Sequence, residues 1–260
     1  MARQPPQRNV APAVQKLRVR YAKRGRLRFT SHRDIQRALE RALRRARVPM
    51  AYSAGFTPHP KISYAGAAAM GAASEAEYLE ISVTERLDPG KVARALDDAL
   101  PPGLDVLEVV EAGPGSLADR LEASWWQIEL PGAAPEEAEQ AATAFLAEDQ
   151  VEVERMMKAG PRRFDARGPV VRLAAQPGPA ASGAPCAILR VVVRHATPAV
   201  RPDDVLTALR QVAGLTPPVP PLVTRLAQGP LEQATGQVGD PFAADRDRAA
   251  DAVEAQPQPR

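Results

Sequence analysis

The sequence predicts an α+β protein made of two tandem ferredoxin-like halves, each a βαββαβ unit whose antiparallel sheet carries its helices on one face. A chain of 260 residues is long enough for two small domains. Its hydrophobic pattern changes repeatedly between strict alternation and helical spacing, and the βαββαβ order fits twice. The halves are predicted at 16–112 and 122–227, with disordered tails at 1–15 and 228–260.

The first half begins with a strand or a short hairpin and continues into a helix. Apolar and basic residues alternate over 17–21 and again over 27–29, on either side of a turn at Gly25. Ser31 is a suitable N-cap for the helix, with Asp34 three residues later, and Pro49 ends it. Helical spacing predicts an apolar stripe of Ile35, Ala38, Leu39, Ala42, Leu43 and Ala46.

The remainder of the first half completes the unit. A loop rich in Gly and Pro follows the helix, and the patterns after it alternate between strand and helix. The predicted elements are strands at 62–64 and 78–83, a helix at 88–100 and a closing strand at 104–110.

The second half is predicted from element order, because no sequence identity between the halves is visible. Its elements are a strand at 125–130, a helix at 135–147, strands at 151–156, 170–173 and 186–195, a helix at 202–212 and a strand at 222–226. The segment between the strands at 151–156 and 170–173 is predicted to be a loop. The polar residues from 228 onward are predicted to be disordered.

Composition excludes several classes of protein. With Cys186 as its one cysteine, the chain can form neither an internal disulfide nor a cysteine-ligated iron-sulfur cluster, so it is not a self-contained radical enzyme. His32, His59 and His195 are the only histidines, and we predict no metal and no cofactor. No apolar run reaches the length of about 18 residues that a membrane span needs. We therefore predict a cytoplasmic protein without a membrane partner.

The charge is concentrated in one segment. Thirteen lysines and arginines lie between Lys16 and Arg47 against two acidic residues, although the whole chain carries a formal net charge of +3. A basic segment of this density attracts polyanions, which favours nucleic acid as a partner. The alternative is an arginine-rich helix face that only contacts solvent.

One long motif carries a family resemblance. The segment from Arg26 to Ala65 reads RLRFTSHRDIQRALERALRRARVPMAYSAGFTPHPKISYA, and SEAEYLEISV follows from Ser74 to Val83. In these residues the chain resembles the radical-SAM-linked family of bacterial proteins, over roughly residues 16–226. Some members of that family are similar to, or fused with, the region that follows a radical SAM enzyme domain, and others stand alone. The resemblance therefore implies a radical SAM enzyme on a separate polypeptide as a partner.

The candidate site residues are basic, polar or both. Ser31 and His32 lie where the free N–H groups of a helix N-terminus favour an anion, and His59 lies in a loop stiffened by Pro58 and Pro60. Each also has a structural explanation, as a helix cap or a turn residue. The predicted anion-binding or nucleic-acid-binding residues are Arg28, Ser31, His32, Arg33, Arg37, Arg41, Arg45, His59, Lys61, Arg162 and Arg163.

Three functions fit these features. The leading hypothesis is a non-catalytic RNA-binding or adaptor module that holds tRNA or rRNA for a separate radical SAM enzyme in RNA modification. The second is a metal-independent endoribonuclease, similar to the tandem ferredoxin-like enzymes of CRISPR processing, with His32 as general base beside Lys61 or Tyr64. The third is a protein-interaction subunit whose basic helix docks an acidic partner.

Overall fold

A computed structural model describes residues 11–54, 56–158, 160–179 and 185–254. Within these ranges the protein is a mixed α+β fold with antiparallel strand pairs and five α-helices. The chain divides into two compact units, the first formed by Met1–Asp119 with Pro241–Arg260 and the second by Arg120–Asp240. Most of the predicted N-terminal tail, 1–10, and the end of the predicted C-terminal tail, 255–260, lie outside the described residues.

The first unit contains four strands that pair antiparallel. Its strands are β1 (Gln15–Lys23), β2 (Ile62–Ala65), β3 (Ala73–Val83) and β4 (Leu104–Glu111), paired in the spatial order β4-β1-β3-β2. Val19 on β1 lies opposite Leu79 on one side and Val109 on the other, and all three side chains are buried. The alternation in the sequence therefore marks the face of the sheet that forms the core.

Two helices complete this core. The helices α1 (His32–Arg45) and α2 (Pro89–Ala99) each begin at a residue whose side chain accepts a backbone N–H, Ser31 for α1 and Asp88 for α2. After α1 the chain turns through Arg47, whose φ of 54° is left-handed. The buried residues of α1 and α2 that pack with Leu17, Val19 and Ile81 are Ile35, Leu39, Leu43, Val92 and Leu96.

The structure differs from the prediction just before α1. Residues 27–29, predicted as a strand, belong to a 3-10 helix from Gly25 to Phe29. Gly25 has a φ of +56°, so the chain reverses there instead of continuing as a strand. Leu27 then packs against the core of the first unit.

The second unit also combines antiparallel strands with two helices. Its main sheet has the spatial order β10-β5-β9-β8, α3 packs against β8 and β9, and α4 packs beside α3. The strands are β5 (Ala123–Pro131), β6 (Glu152–Met157), β7 (Gly160–Asp165), β8 (Val170–Pro177), β9 (Cys186–Arg194), β10 (Leu222–Gly229), β11 (Leu231–Glu232) and β12 (Gln237–Val238), and the helices are α3 (Pro135–Ala147) and α4 (Pro202–Ala213).

The segment predicted as a loop within the second half contains β7, which pairs with β6 as a hairpin. The prediction of a loop was wrong because pairing with β6 satisfies the backbone of this polar segment. Arg155 on β6 connects the hairpin to α4 by donating to Asp204 at 2.5 Å, and its guanidinium lies 4.8 Å from the centre of the Phe164 ring. These contacts do not follow from the local sequence.

The C-terminal segment also differs from the predicted disordered tail, because β10 extends to Gly229 and α5 (Ala243–Glu254) belongs to the first unit. Asp245 at the start of α5 accepts two hydrogen bonds from Arg18, each 2.7 Å long, and both side chains are fully buried. The Phe242 ring, fully buried, lies edge-on to Tyr78 with the ring centres 5.3 Å apart. A buried ion pair, an aromatic contact and a second ion pair between Arg246 and Glu108 thus connect this polar segment to the first unit.

None of the helices that the structure describes is long and apolar enough to cross a membrane.

Replacing Asp245 by Ala should lower the free energy of unfolding by about 3–5 kcal/mol, because it removes both carboxylate acceptors of the buried Arg18 Nη1 and leaves Glu80, which accepts from Nε, as the remaining carboxylate partner. Urea unfolding of the full chain measures this change. The matched control is Asp247→Ala, an exposed acidic residue of the same helix, for which a change within about 0.5 kcal/mol is expected. Equal stability of the two variants would contradict the structural role of the ion pair.

Candidate nucleic-acid interface

The solvent-facing side of α1 carries a row of arginines at intervals of four residues, Arg33, Arg37, Arg41 and Arg45, which we call the arginine stripe. All four side chains are exposed, whereas Leu39 and Leu43 are buried on the opposite face. The amphipathic pattern thus orients the helix, because burying its apolar face leaves the guanidinium groups facing outward.

The arginines of the stripe make few hydrogen bonds or ion pairs with other described residues of the chain. Arg37 lies 3.5 Å from a carboxylate oxygen of Asp34, and Arg45 donates to the carbonyl of Ala99 at 3.5 Å. Both distances are at the upper limit for such contacts. Within the described part of the chain, the side chains of Arg33 and Arg41 make no hydrogen bond or ion pair. In contrast, carboxylates pair with Arg18, Arg24, Arg155, Arg163 and Arg246.

At the N-terminus of α1, neighbouring residues of the chain already provide a hydrogen-bond acceptor for a free backbone N–H group. The Ser31 hydroxyl accepts the Asp34 N–H at 3.2 Å and lies 2.8 Å from the Asp34 carboxylate. A negative charge therefore already complements the helix dipole at this end. The neighbouring Arg28 is half-buried in the 3-10 helix. The geometry favours the stripe over the helix terminus as an anion-binding surface.

His32, the first residue of α1, contacts the short strand β2. Its ring is edge-on to Tyr64, with the ring centres 5.5 Å apart, and its Nε2 lies 3.0 Å from the amide nitrogen of Gln36. The Tyr64 hydroxyl is buried without a hydrogen-bond partner among the described residues. Burial, with a smaller effect of the Glu40 charge, raises the pKa of Tyr64 above its usual value.

Gln36 and Glu40 are residues that the sequence analysis missed. They follow His32 at intervals of four residues, so the helical period places the three on one side of α1. That spacing was visible in the sequence, whereas the sequence analysis placed Tyr64 beside His32 only by analogy of fold, in the endoribonuclease hypothesis. Only the packing of β2 shows this.

The loop at Pro58, His59 and Pro60, which we call the Pro-His-Pro loop, is held at its base and leaves its polar residues exposed. Tyr52 and Pro60 form an isolated bridge, and the Ser53 hydroxyl accepts the His59 backbone N–H at 3.1 Å. The side chains of His59 and Lys61 are exposed. A cavity of about 180 Å³ lies between the loop and α1, lined by Glu40, Leu43, Arg44, Met50, Tyr52, Pro58 and Pro60.

The remaining predicted site residues belong to the second unit. Arg162 and Arg163 are exposed on β7, and Arg163 donates to Glu154 on β6 at 3.1 Å. The structure thus groups the residues from Arg28 to Lys61 within one unit and assigns these two arginines to the other.

A serine-histidine pair lies in the second unit. His195 Nδ1 is 2.6 Å from the Leu121 carbonyl oxygen, and Nε2 is 2.7 Å from the Ser124 hydroxyl. Because a carbonyl only accepts, Nδ1 carries the hydrogen and Nε2 accepts from Ser124. This resembles an activated nucleophile, but Ser124 is only 2% exposed, so the contact joins the ends of β5 and β9. Among the residues with described positions, no group of three or more acidic, histidine or cysteine side chains could hold a metal ion.

Residues 16–202 match the model of a family described as an uncharacterised protein conserved in bacteria, DUF2344. The matched region includes the arginine stripe, the Pro-His-Pro loop and the β6-β7 hairpin. A search of curated proteins finds no match.

Replacing Tyr64 by Phe should raise the free energy of unfolding by about 1 kcal/mol, because it removes a buried hydroxyl that has no hydrogen-bond partner. Denaturant unfolding measures the difference. Tyr52→Phe, which removes a hydroxyl from a 39% exposed tyrosine, is the control and should change stability little. A destabilised Tyr64→Phe variant would show that the hydroxyl is satisfied.

Stability should fall as the pH is lowered from 7 towards 5. Partial burial, with the positive charge of Arg225 adding to it and the Leu121 hydrogen bond opposing it, lowers the pKa of His195. Because the pKa of His195 is lower in the folded protein, the unfolded chain binds this proton at a higher pH than the folded protein does. The stabilising effect of neutral His195 is therefore complete above the ordinary histidine pKa and is lost as the pH falls through the folded-state value.

Urea unfolding at several pH values tests this dependence. His195→Gln should flatten the slope between pH 7 and 5 relative to the wild-type protein. An unchanged slope in His195→Gln would contradict the assignment.

Proposed function

Because the chain belongs to the DUF2344 family of conserved bacterial proteins and its first unit presents the arginine stripe, we propose that it is a non-catalytic RNA-binding module. The observation that carries the proposal is the scarcity of carboxylate partners along the stripe. Arginines that only stabilise the fold are paired in this protein, as Arg18 and Arg155 are. Exposed guanidinium groups in one row, of which Arg37 alone is near a carboxylate in the described residues, instead form a polyanion-binding surface.

The stripe binds the RNA backbone. Its four arginines extend over about 18 Å of helix, at a rise of about 1.5 Å per residue, so several phosphates can be contacted at once. Each contact releases counterions from the RNA, which makes the affinity dependent on salt. Contacts of this kind position a strand without reading its sequence. His59 and Lys61, exposed on the Pro-His-Pro loop, add polar contacts.

We also propose that each unit is ferredoxin-like. In the first unit the strand order is β4-β1-β3-β2 with helices between the first and second and between the third and fourth strands. The second unit has the corresponding order β10-β5-β9-β8, with the β6-β7 hairpin inserted. Both orders support a split βαβ arrangement.

We further propose that the protein acts as an adaptor for a separate radical SAM enzyme that modifies tRNA or rRNA in the cytoplasm. This role is supported by the resemblance of residues 26–83 to radical-SAM-linked proteins. The 260 residues include one cysteine, the buried Cys186, and cannot ligate an iron-sulfur cluster through cysteine thiolates. The cluster is therefore supplied by the partner.

The contact between His32 and Tyr64 favours a second candidate function, a metal-independent endoribonuclease with His32 as general base. In this arrangement Nε2 of His32, which lies beside Gln36, would take the proton of a ribose hydroxyl. Incubation with RNA separates the two candidates, because the binding module leaves RNA intact. Cleavage that disappears in His32→Ala would favour the enzyme.

The triple variant Arg33→Ala, Arg37→Ala and Arg41→Ala should weaken RNA binding about tenfold or more at low salt, because it removes three phosphate contacts. The plot of log affinity against log salt should become shallower by about 2. Mobility shift or fluorescence anisotropy with cellular tRNA and rRNA fragments at several salt concentrations measures both quantities.

The charge-matched control is Lys91→Ala, Arg94→Ala and Arg210→Ala, which removes three exposed cations from α2 and α4. Its affinity and salt slope should remain close to those of the wild-type protein. Equal weakening by both triple variants would show that only total charge matters, and binding by neither the wild type nor the variants would reject the proposal. An acidic protein partner would then be the next hypothesis to test.

A further inference from the structure

One face of the second unit's main sheet carries an exposed tryptophan, Trp125 on β5. Trp126, Ile128 and Leu130 alternate on β5 with Trp125, Gln127 and Glu129, and the first set is buried. The second set therefore lies on the opposite face. In the register of the sheet, Trp125 is opposite Val192 on β9, and Val192 is in turn opposite Arg172 on β8. Arg190 on β9 lies on this same face.

The small β11-β12 hairpin covers one end of this face. Leu231 on β11 packs with Ala123 and Val192, and Val238 on β12 packs against the same cluster. Beside the hairpin the sheet forms a cavity of about 790 Å³. Its volume is within the range of about 300–1,000 Å³ that is usual for ligand sites. The residues that define its chemistry are Trp125, Arg172, Gln176, Arg190 and Gln237.

The lining combines an aromatic surface with positive charge. The Trp125 indole is 39% exposed, which is a large exposed fraction for a tryptophan on a sheet. The Arg190 guanidinium lies 5.6 Å from the centre of the indole ring, and Arg172 is exposed. Of the described residues that line the cavity, none is acidic. The site therefore suits a ligand that is planar, partly apolar and negatively charged.

We propose that this cavity binds a nucleotide of single-stranded RNA. The base stacks on the Trp125 indole next to Arg190, and Arg172 and Arg190 contact its phosphates. The side-chain amides of Gln176 and Gln237 both donate and accept, which suits the edge of a base. Stacking on an exposed aromatic ring requires an unpaired base, so the site selects single strands.

This site is distinct from the arginine stripe, because every residue that lines it belongs to the second unit. The two surfaces differ in chemistry as well. The stripe offers only cations for a backbone, whereas the cavity offers an aromatic face for a base. The inference therefore goes beyond the proposed function and can succeed or fail independently of it.

Fluorescence anisotropy of labelled hexanucleotides with the full chain tests the proposal, at a salt concentration high enough to suppress backbone contacts. Trp125→Ala should weaken binding of a hexauridylate or hexaadenylate by about 5- to 100-fold, the usual effect of losing one stacked base. Trp125→Phe should retain most of the affinity because it keeps an aromatic ring. Arg190→Ala should weaken binding, and Arg210→Ala on α4 serves as its matched control.

An abasic hexamer with the same number of phosphates separates base binding from backbone binding. It should bind the wild-type protein as weakly as hexauridylate binds Trp125→Ala. The proposal is overturned if the abasic strand binds as tightly as the base-containing strands, if Trp125→Ala has wild-type affinity, or if uridine and adenosine 5′-monophosphates bind but the hexamers do not. Thermal unfolding checks that each variant is folded, and the abasic strand tests the wild-type protein even if Trp125→Ala is unstable.

The same experiment in the background of the triple arginine-stripe variant distinguishes this inference from the proposed function. If the triple variant still binds base-containing hexamers more tightly than the abasic hexamer, and binds tRNA as tightly as the wild-type protein does, the proposed function is contradicted and the cavity proposal is not. If RNA binding depends on salt and on the stripe, but abasic and base-containing hexamers bind equally well, the cavity proposal is contradicted and the proposed function is not.

Discussion

The buried ion pair between Arg18 and Asp245 is the contact on which the organisation of the first unit depends. Arg18 lies on the central strand β1 with no exposed surface, and a buried guanidinium is tolerated only when its donors are satisfied. Besides both oxygens of Asp245, it donates to Glu80 at 3.0 Å and to the Gly115 carbonyl at 2.7 Å. One side chain thus connects β1, β3, the turn after β4 and α5. The other face of β1 supports α1, so the orientation of the stripe depends on the same strand.

The two units have similar strand orders, but the sheet face opposite the main helices is covered by different elements in each unit. In the first unit, α5 contributes Asp245 to that face, where Arg18 alternates with the core residues Leu17 and Val19. In the second unit the short β11-β12 hairpin covers only one end of the face, and the Trp125 cavity remains beside it. A similar sheet can thus bury an ion pair in one case and present an aromatic ring in the other.

The arginines show why sequence charge alone does not identify a binding surface. The basic segment from Lys16 to Arg47 is continuous in the sequence. In the structure, Arg18 is fully buried and Arg24 pairs with Glu75 and Asp105, so both stabilise the fold. The arginines of the α1 surface, in contrast, retain exposed guanidinium groups with few partners among the described residues. The distinction comes from carboxylates that are distant in sequence, such as Asp245, and these cannot be identified from local charge.

The sequence by itself determined most of the local elements of this protein, although not the 3-10 helix at Gly25–Phe29 or the strand β7. The helical spacing after Ser31, the exact match of a helix at 135–147 and the apolar run at 186–194 depend on neighbouring residues, so their patterns predict them. The arginine stripe follows from the same spacing. Only the tertiary structure decided which polar segments are ordered and which faces remain open. Arg18 and Asp245 are 227 residues apart, and the exposure of Trp125 depends on a sheet face that no window of sequence contains. Long-range pairing, and not local propensity, stabilises these features.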